Sequence, residues 1–596
     1  MPPLMIQSLR ALGGFLALGS GLLAADTTFD QFADALSAEW MRANPSRATA
    51  VQYFSGADQD ALDRQLTPIT REARAARVAL AQRGLADLAK FNRNALDATQ
   101  RISATMLEWQ LKDVVQAESF AVYEFIFEQF GGLQVGLVNF LSQTHPVRNR
   151  RDVENYLARL SLVAAQMDEG SAQAKERAAQ GIVPPKFIIT STLSQFDRFL
   201  GGEPRQNILV TSLDDRAAKL SDLPAADRAT LVASAQKIVT EAILPAFRRA
   251  RALLESQLST ASDDAGLWRF PGGDRAYADA LRRMTTTDLT PDQIHALGLK
   301  EVARIEGLMN TLLRSLGYND GSVAERMRKL TADRQPPAEP DPRPALLARF
   351  TEILRDAERR SALIFDLRPR APIEVRREPP FTERTAAAHY TLPAPDGTRP
   401  GIFWAPLPGP FFEVGGMRTL AYHEGVPGHH FQLAIQQELT SLPRFRRDRI
   451  FGGLPAHSEG WALYAEQLAA ENNWYEGDAP GRLGQLAAEL FRARRLVVDT
   501  GLHAKHWTRQ QAIDFGIAAS EVERYVVLPG QACAYKIGQL KILEVRAKAQ
   551  AALGEKFSMK EFHNVVLRTG SVPLDVLAVA VDEWTVAQKT RPKRTE

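Results

Sequence analysis

The densest chemistry in this 596-residue chain lies between His389 and His506, where seven of its ten histidines fall: His389, His423, His429, His430, His457, His503 and His506. Imidazole is the commonest metal ligand and the usual acid–base near neutral pH. The core is Tyr422-His423-Glu424-Gly425-Val426-Pro427-Gly428-His429-His430-Phe431-Gln432. A His-Glu pair with another histidine shortly after is the arrangement in which two imidazoles hold Zn²⁺ and the glutamate acts as base on a water. On an unbroken helix the second ligand sits one turn on, and that position here is Pro427. Proline removes a helical hydrogen bond and Gly428 loosens the turn. The backbone is therefore expected to bulge or restart, bringing His429 or His430 to the metal. Spacing leaves both open.

A catalytic zinc site needs a third protein ligand. Glu459, in Ala456-His457-Ser458-Glu459-Gly460-Trp461-Ala462-Leu463-Tyr464, follows far enough on for a loop and a returning helix. Glu466, two turns along the same face, is the alternative. A lone His-Glu pair on a helix is ordinarily solvated or capped. Four metal-competent groups between His423 and His430, joined by a carboxylate in a Gly-Trp setting, favour metal. Further groups look like the wall of a site. Arg495, Asp499 and His503 stand at four-residue steps on one helix face. They read either as a solvated salt-bridge stripe or as Asp499 orienting His503, with cations meeting a substrate carboxylate or carbonyl. Tyr535, in Pro529-Gly-Gln-Ala-Cys-Ala-Tyr535-Lys536-Ile-Gly538, is either a core aromatic or a donor to a tetrahedral intermediate. Arg492, Lys505 and Lys536 are further candidates for a carboxylate clamp.

Mainly helices must position these groups. Thr290 to Leu316 carries a capping Thr290, Pro291 at the first helical position and Gln293 for a capping box. Ile294, Leu297, Val302, Ile305, Leu308, Leu312 and Leu316 fall near one face, and Gly317 is a natural stop. Similar patterns occupy 67–94, 152–180, 224–260, 344–367, 481–508 and 531–553. The proline- and glycine-rich stretch 372–410 differs: 388–392 and 401–405 read as short strands. The second of these lies just upstream of the metal segment and is expected to pair with an extended peptide, with Phe403 and Trp404 shaping side-chain pockets. Residues 336–342 read as a linker.

Composition narrows the function classes. Basic and acidic residues number 73 and 70, interleaved, with no long basic run before the C-terminal tail, which disfavours nucleic acid. The single cysteine, Cys533, makes no internal disulfide. Residues 11–25 form an uncharged, glycine-containing apolar run after Arg10, which predicts a leader over 1–25 and a periplasmic or secreted protein of residues 26–596. No later run is long enough for an integral membrane span.

The segments around His423–Gln432, Glu459–Tyr464 and Pro529–Gly538, with Ile294–Ile305 and Gly181–Phe187, resemble the bacterial family catalogued as domain of unknown function 885 over most of the chain after the leader. That family is similar in turn to helical gluzincin peptidases such as angiotensin-converting enzyme and the Taq-type carboxypeptidases. The resemblance implies a large, mainly α, zincin-like body with a deep groove and a small β-sheet beside the metal helix. It implies His423, His429 and Glu459 as zinc ligands, with Glu424 as base, and favours His429 over His430. The expected activity is zinc-dependent hydrolysis of peptide bonds in short peptides, as a carboxypeptidase or dipeptidase. Glu424, Tyr535 and His503 are the expected catalytic groups, and Arg495, Trp404 and Lys536 the substrate-binding ones. Two other readings stand beside it: a periplasmic metal- or peptide-binding protein without turnover, and a zinc hydrolase of a non-peptide amide or ester. A base next to a ligand favours catalysis over mere binding.

Overall fold

A computed structural model describes residues 27–334, 341–378, 387–394, 399–407 and 414–590, with residues 383 and 397. The leader assigned to 1–25 and most of the linker at 336–342 lie outside them. The described chain is mainly α, with a three-stranded sheet, as the sequence predicts. Helix Pro291–Ser315 begins on the expected capping box, in which Thr290 and Gln293 exchange backbone and side-chain hydrogen bonds. Its buried stripe differs from the expected one. It runs Ile294, Gly298, Glu301, Ile305, Met309 and Leu313, and Leu308 is 43% exposed. Gly298 explains the rotation: a Cβ there would stand 2.7 Å from Val497 Cγ2 and 2.8 Å from Leu496 Cβ. The helix turns its glycine, and further along Ile305, Met309 and Leu313, to helix Ala479–Ala504.

Two long periodic stretches divide. The 152–180 pattern is two helices, Arg150–Leu160 and Val163–Ala179. The 224–260 pattern holds Ala225–Ile238 and Leu244–Gln257, joined by a widened π turn at Val239–Ile243 ahead of Pro245. Proline lacks the N–H that a regular α turn uses, and a wider turn accommodates it.

The sheet has the order β1-β3-β2, from Ile373–Arg377, Gly401–Ala405 and His389–Thr391 respectively. β1 is parallel to β3 and β2 antiparallel to it. The sequence reading finds β2 and β3 but not β1. It also places a peptide along β3, and the sheet overturns this. β3 is the central strand, so its backbone groups are spent on both neighbours. Trp404 lies on that central strand, its indole donating to Thr391 Oγ1 of β2 at 2.9 Å.

The largest apolar cluster unites both ends of the described chain, from Phe29, Phe32 and Leu36 to Leu577 and Val581. It also takes in Phe403, Tyr422, Phe431 and Trp461, which flank the histidines. Beside it, helices Pro455–Glu471 and Gln531–Leu553 meet backbone to backbone. A Cβ on Gly538 would lie 1.8 Å from the Ala456 carbonyl oxygen, and one on Gly460 would lie 2.5 Å from Gly538 Cα. Gln539 bonds Leu463 and Gln467, and Arg546 bonds Glu471, so the two helices run parallel. Because backbone cannot yield as a side chain does, Gly538→Ala is expected to cost about 3 kcal/mol, the upper end of overpacking penalties. Gly307→Ala, on an exposed helical face with nothing within 4 Å of the new Cβ, is expected to add about 0.5–1 kcal/mol. Denaturation midpoints check both, and an unchanged midpoint for Gly538→Ala would refute the close crossing.

Candidate metal centre

The expected break in the metal segment is present. Helix Met417–Glu424 stops at Gly425, and helix His429–Glu438 begins after Gly428. Both glycines are required by close approach. A Cβ on Gly428 would lie 2.0 Å from the His423 carbonyl oxygen, and one on Gly425 would lie 2.3 Å from Leu354 Cδ2. The Val426–Pro427 peptide is cis. The buried indole of Trp461 donates to the Pro427 carbonyl at 2.8 Å, which pins the break to the helix that carries Glu459.

That arrangement brings His423, His429 and Glu459 together, with one potential ligand atom from each lying within 4.8 Å of the others. Glu459 Oε2 lies 3.5 Å from His423 Nε2 and 3.2 Å from His429 Nε2. It makes no directed hydrogen bond with either ring. The three atoms lie close enough together for one ion to reach all of them. Tetrahedral zinc bonds of about 2.0–2.1 Å would separate ligand atoms by roughly 3.3–3.4 Å, so the residues fit that ion. The two rings stand edge to face, with centroids 4.8 Å apart. Among the described residues this is the one such group of three.

The surroundings favour a cation. His423 Nδ1 lies 2.7 Å from Glu466 Oε1, both buried. With the Nδ1–H of the neutral ring donating to Glu466, the Nε2 lone pair is left for an ion. Burial pushes the His423 pKa down, but the surrounding carboxylates of Glu459, Glu466 and Glu424 outweigh it and hold it at about 10. The same negative field favours a divalent ion. Glu424 itself is buried, and its Oε2 has no hydrogen-bond partner among the described residues. His430 turns away: its Nδ1 meets the Tyr390 hydroxyl of β2 at 2.9 Å, and burial lowers its pKa to about 4. It ties the sheet to the metal segment, and the geometry selects His429 over it.

The other candidates divide. Tyr535 packs against Arg495, whose guanidinium carbon lies 4.1 Å from the ring centroid. Arg495 in turn feels the charge of Glu459. His503 is not brought to this group. Its Nδ1 accepts from the Leu267 N–H at 3.1 Å, and its Nε2 meets the Tyr525 carbonyl at 3.0 Å, so both nitrogens serve the backbone. Asp499 does not orient it. Asp499 accepts from the Tyr277 hydroxyl at 2.6 Å and the Gly530 N–H at 3.1 Å. Lys536 is fully buried, 2.7 Å from Glu489 and 3.0 Å from Glu301, and is spent as an internal ion pair. Lys505 pairs with Asp292, and Arg492 faces Glu466 at 4.0 Å. Glu466 reads from sequence as an alternative ligand, and the structure instead places its carboxylate against Nδ1 of His423. Trp461 and Tyr390 were not read as site residues at all. The Gly-Trp that follows Glu459 is the signal for the first, and no local signal marks the second.

Purified protein is expected to hold one zinc per chain by mass spectrometry of the metal. His423→Ala, His429→Ala and Glu459→Ala should each lose it, whereas His430→Ala should keep it. Glu466→Gln should weaken zinc binding about 10–100-fold, the usual effect of losing such a partner. Full occupancy in His429→Ala with loss in His430→Ala would reverse the ligand assignment.

The comparisons with known proteins agree with this architecture. Among curated proteins none matches the chain. The crystal structure described as "the putative lipoprotein from Colwellia psychrerythraea" is 31% identical and superposes with a TM-score of 0.86, over 93% of this chain and 100% of that one. A structure from Shewanella oneidensis, described as "a putative lipoprotein of unknown function", shares 18% identity with a TM-score of 0.69, over 93% and 99% of the two chains, and speaks to the fold alone. The family described as bacterial protein of unknown function (DUF885) matches residues 45–581, and the chain belongs to that family.

Proposed function

We propose that this protein is a zinc-dependent hydrolase of peptide bonds that acts on short peptides. The observation that carries the reading is the convergence of His423 Nε2, His429 Nε2 and Glu459 Oε2, with the unpartnered Glu424 carboxylate beside a ligand. A zinc ion held there supplies Lewis acidity at the carbonyl under attack. Glu466 holds the His423 tautomer, and Trp461 keeps the His429 segment in register with Glu459. Glu424 takes the proton of the attacking water and returns it to the leaving amine. The Tyr535 hydroxyl donates to the developing oxyanion. A pure binding protein has no use for a buried, unsatisfied carboxylate next to a ligand, since that group carries a desolvation cost.

The protein is further proposed to work outside the cytoplasm. Two features support this: the apolar run at 11–25 and the likeness to proteins described as lipoproteins. No described helix is long and apolar enough to cross a membrane.

The test is Glu424→Gln. It should keep its fold and its zinc while losing turnover of a mixed peptide library by about 10²–10⁴-fold, the usual contribution of a general base. Wild-type rates in this variant would remove Glu424 from the mechanism. A zinc-loaded wild type that cleaves no peptide would remove the peptidase reading.

A further inference from the structure

Asp499 is a fully buried carboxyl that makes no ion pair among the described residues. Arg495, one turn earlier on the same helix, is paired with Glu521 instead. Burying a carboxylate away from a cation is costly. Its bonds run to two other elements. Oδ1 accepts from the Tyr277 hydroxyl of helix Gly273–Thr285 at 2.6 Å, and both oxygens lie 3.1 Å from the Gly530 nitrogen.

Gly530 is the residue before helix Gln531–Leu553, and that helix has no side-chain cap of its own. In a capping box, a Glu or Gln at the third helical position reaches back to the N–H of the cap residue. Here the third residue is Cys533, which has no oxygen to offer. Asp499 takes that place from another helix, where the helix dipole also favours a negative charge. Gly530 has φ +77°, left-handed backbone that suits glycine, and a Cβ there would stand 3.1 Å from the Ala280 carbonyl. Three helices are thus locked at one residue. Tyr535 lies on the second turn of the helix that starts there. Its ring packs against Arg495 at 4.1 Å, and its hydroxyl oxygen accepts from Gln531 Nε2 at 3.4 Å, which leaves the hydroxyl proton to donate. Gly538, one turn further on, meets Gly460, the neighbour of Glu459. The place of Tyr535 against the centre is therefore set by where its helix starts and where that helix crosses the one carrying Glu459.

We propose that Asp499 is a positioning residue for Tyr535: by holding the Gly530 N–H it fixes where the Tyr535 hydroxyl meets the developing oxyanion. This inference rests on the peptidase reading for the reaction it serves, but not for the helix it holds. A carboxyl that only stabilised the fold would leave the kinetics of the folded enzyme alone. One that places a donor used in the transition state acts on kcat and not on KM.

The experiment compares zinc-loaded full-length wild type with Asp499→Asn, Tyr535→Phe and the double variant. It is run at about pH 8, where the Asp499 carboxyl, raised to about 7 by burial, is ionised. Cleavage of one peptide from the library and hydrogen exchange over residues 529–536 are both read. Asp499→Asn should keep its zinc, lose kcat by about 10–100-fold with KM within about 2-fold, and exchange faster over 529–536. In the Tyr535→Phe background the same change should cost less than about 2-fold, because the donor it positions is already gone. Tyr277→Phe takes one hydrogen bond from the same carboxyl and leaves Gly530 its acceptor. It should lower kcat in the same direction by less, so a misfolded Asp499→Asn does not end the test. Wild-type kcat in folded Asp499→Asn, or in Tyr277→Phe where Asp499→Asn does not fold, would overturn the proposal. So would unchanged exchange over 529–536, a loss that falls on KM, or a loss undiminished in the Tyr535→Phe background. Turnover separates the two ideas. Cleavage by wild type with unaltered kcat in Asp499→Asn removes the positioning role and leaves the peptidase. Faster exchange in Asp499→Asn with no cleavage by wild type removes the peptidase and leaves Asp499 as the hold on the Tyr535 helix.

Discussion

The hydrogen bond from the Trp461 indole to the Pro427 carbonyl, together with that between His423 and Glu466, joins the two parts of the sequence on which the centre depends. The segment between His423 and His429 is no helix, so helical pitch does not fix the relation of the two imidazoles. It is fixed by Gly428 lying against the last turn of the first helix and by the tryptophan holding the break from the other side. Trp461 is two residues from Glu459, so the latch and the proposed third ligand move as one. Gly460, between them, is the point where that helix meets Gly538. Three consecutive functions, ligand, contact and latch, occupy Glu459, Gly460 and Trp461.

Electrostatics is managed in layers around this point. Glu466 sits behind His423, and Arg492 stands near Glu466 at 4.0 Å. Further out, Lys536 is neutralised by Glu489 and Glu301, with Arg304 bonded to both carboxylates. Taking such charges from water is costly unless each is paired and hydrogen-bonded, and this outer group meets that condition. The inner group does not. Glu424 and Arg495 each keep a buried polar atom unmatched by the protein.

Much of the centre was legible in the residues. The histidine density marked the region, Pro427 and Gly428 announced the break, and Glu459 stood out through its Gly-Trp neighbours. The capping box at Thr290 fixed a helix start to the residue. What failed depended on packing between distant segments. The Arg495, Asp499 and His503 stripe is present, but each member serves a different segment: the rings and Gln531, the start of the Tyr535 helix, and the Tyr525 carbonyl. Periodicity places residues on one face and does not say what lies opposite. β1 escaped because five residues of which three, Glu374, Arg376 and Arg377, are charged carry little strand signal by themselves, and they pair with a strand beyond a proline-rich stretch of sequence.

The broken segment has a consequence for ion choice. Two imidazoles one turn apart on a continuous helix present a fixed bite, set by the rise of the helix. Here the bite is set by a four-residue bridge of two glycines, a valine and a proline, clamped by one indole. Both glycines are held by close contact and Pro427 by the indole, so the spacing of the two imidazoles cannot change without moving a helix or the clamp. An ion bound as proposed would therefore meet a bite that the packing of the bridge, and not helical pitch, holds fixed.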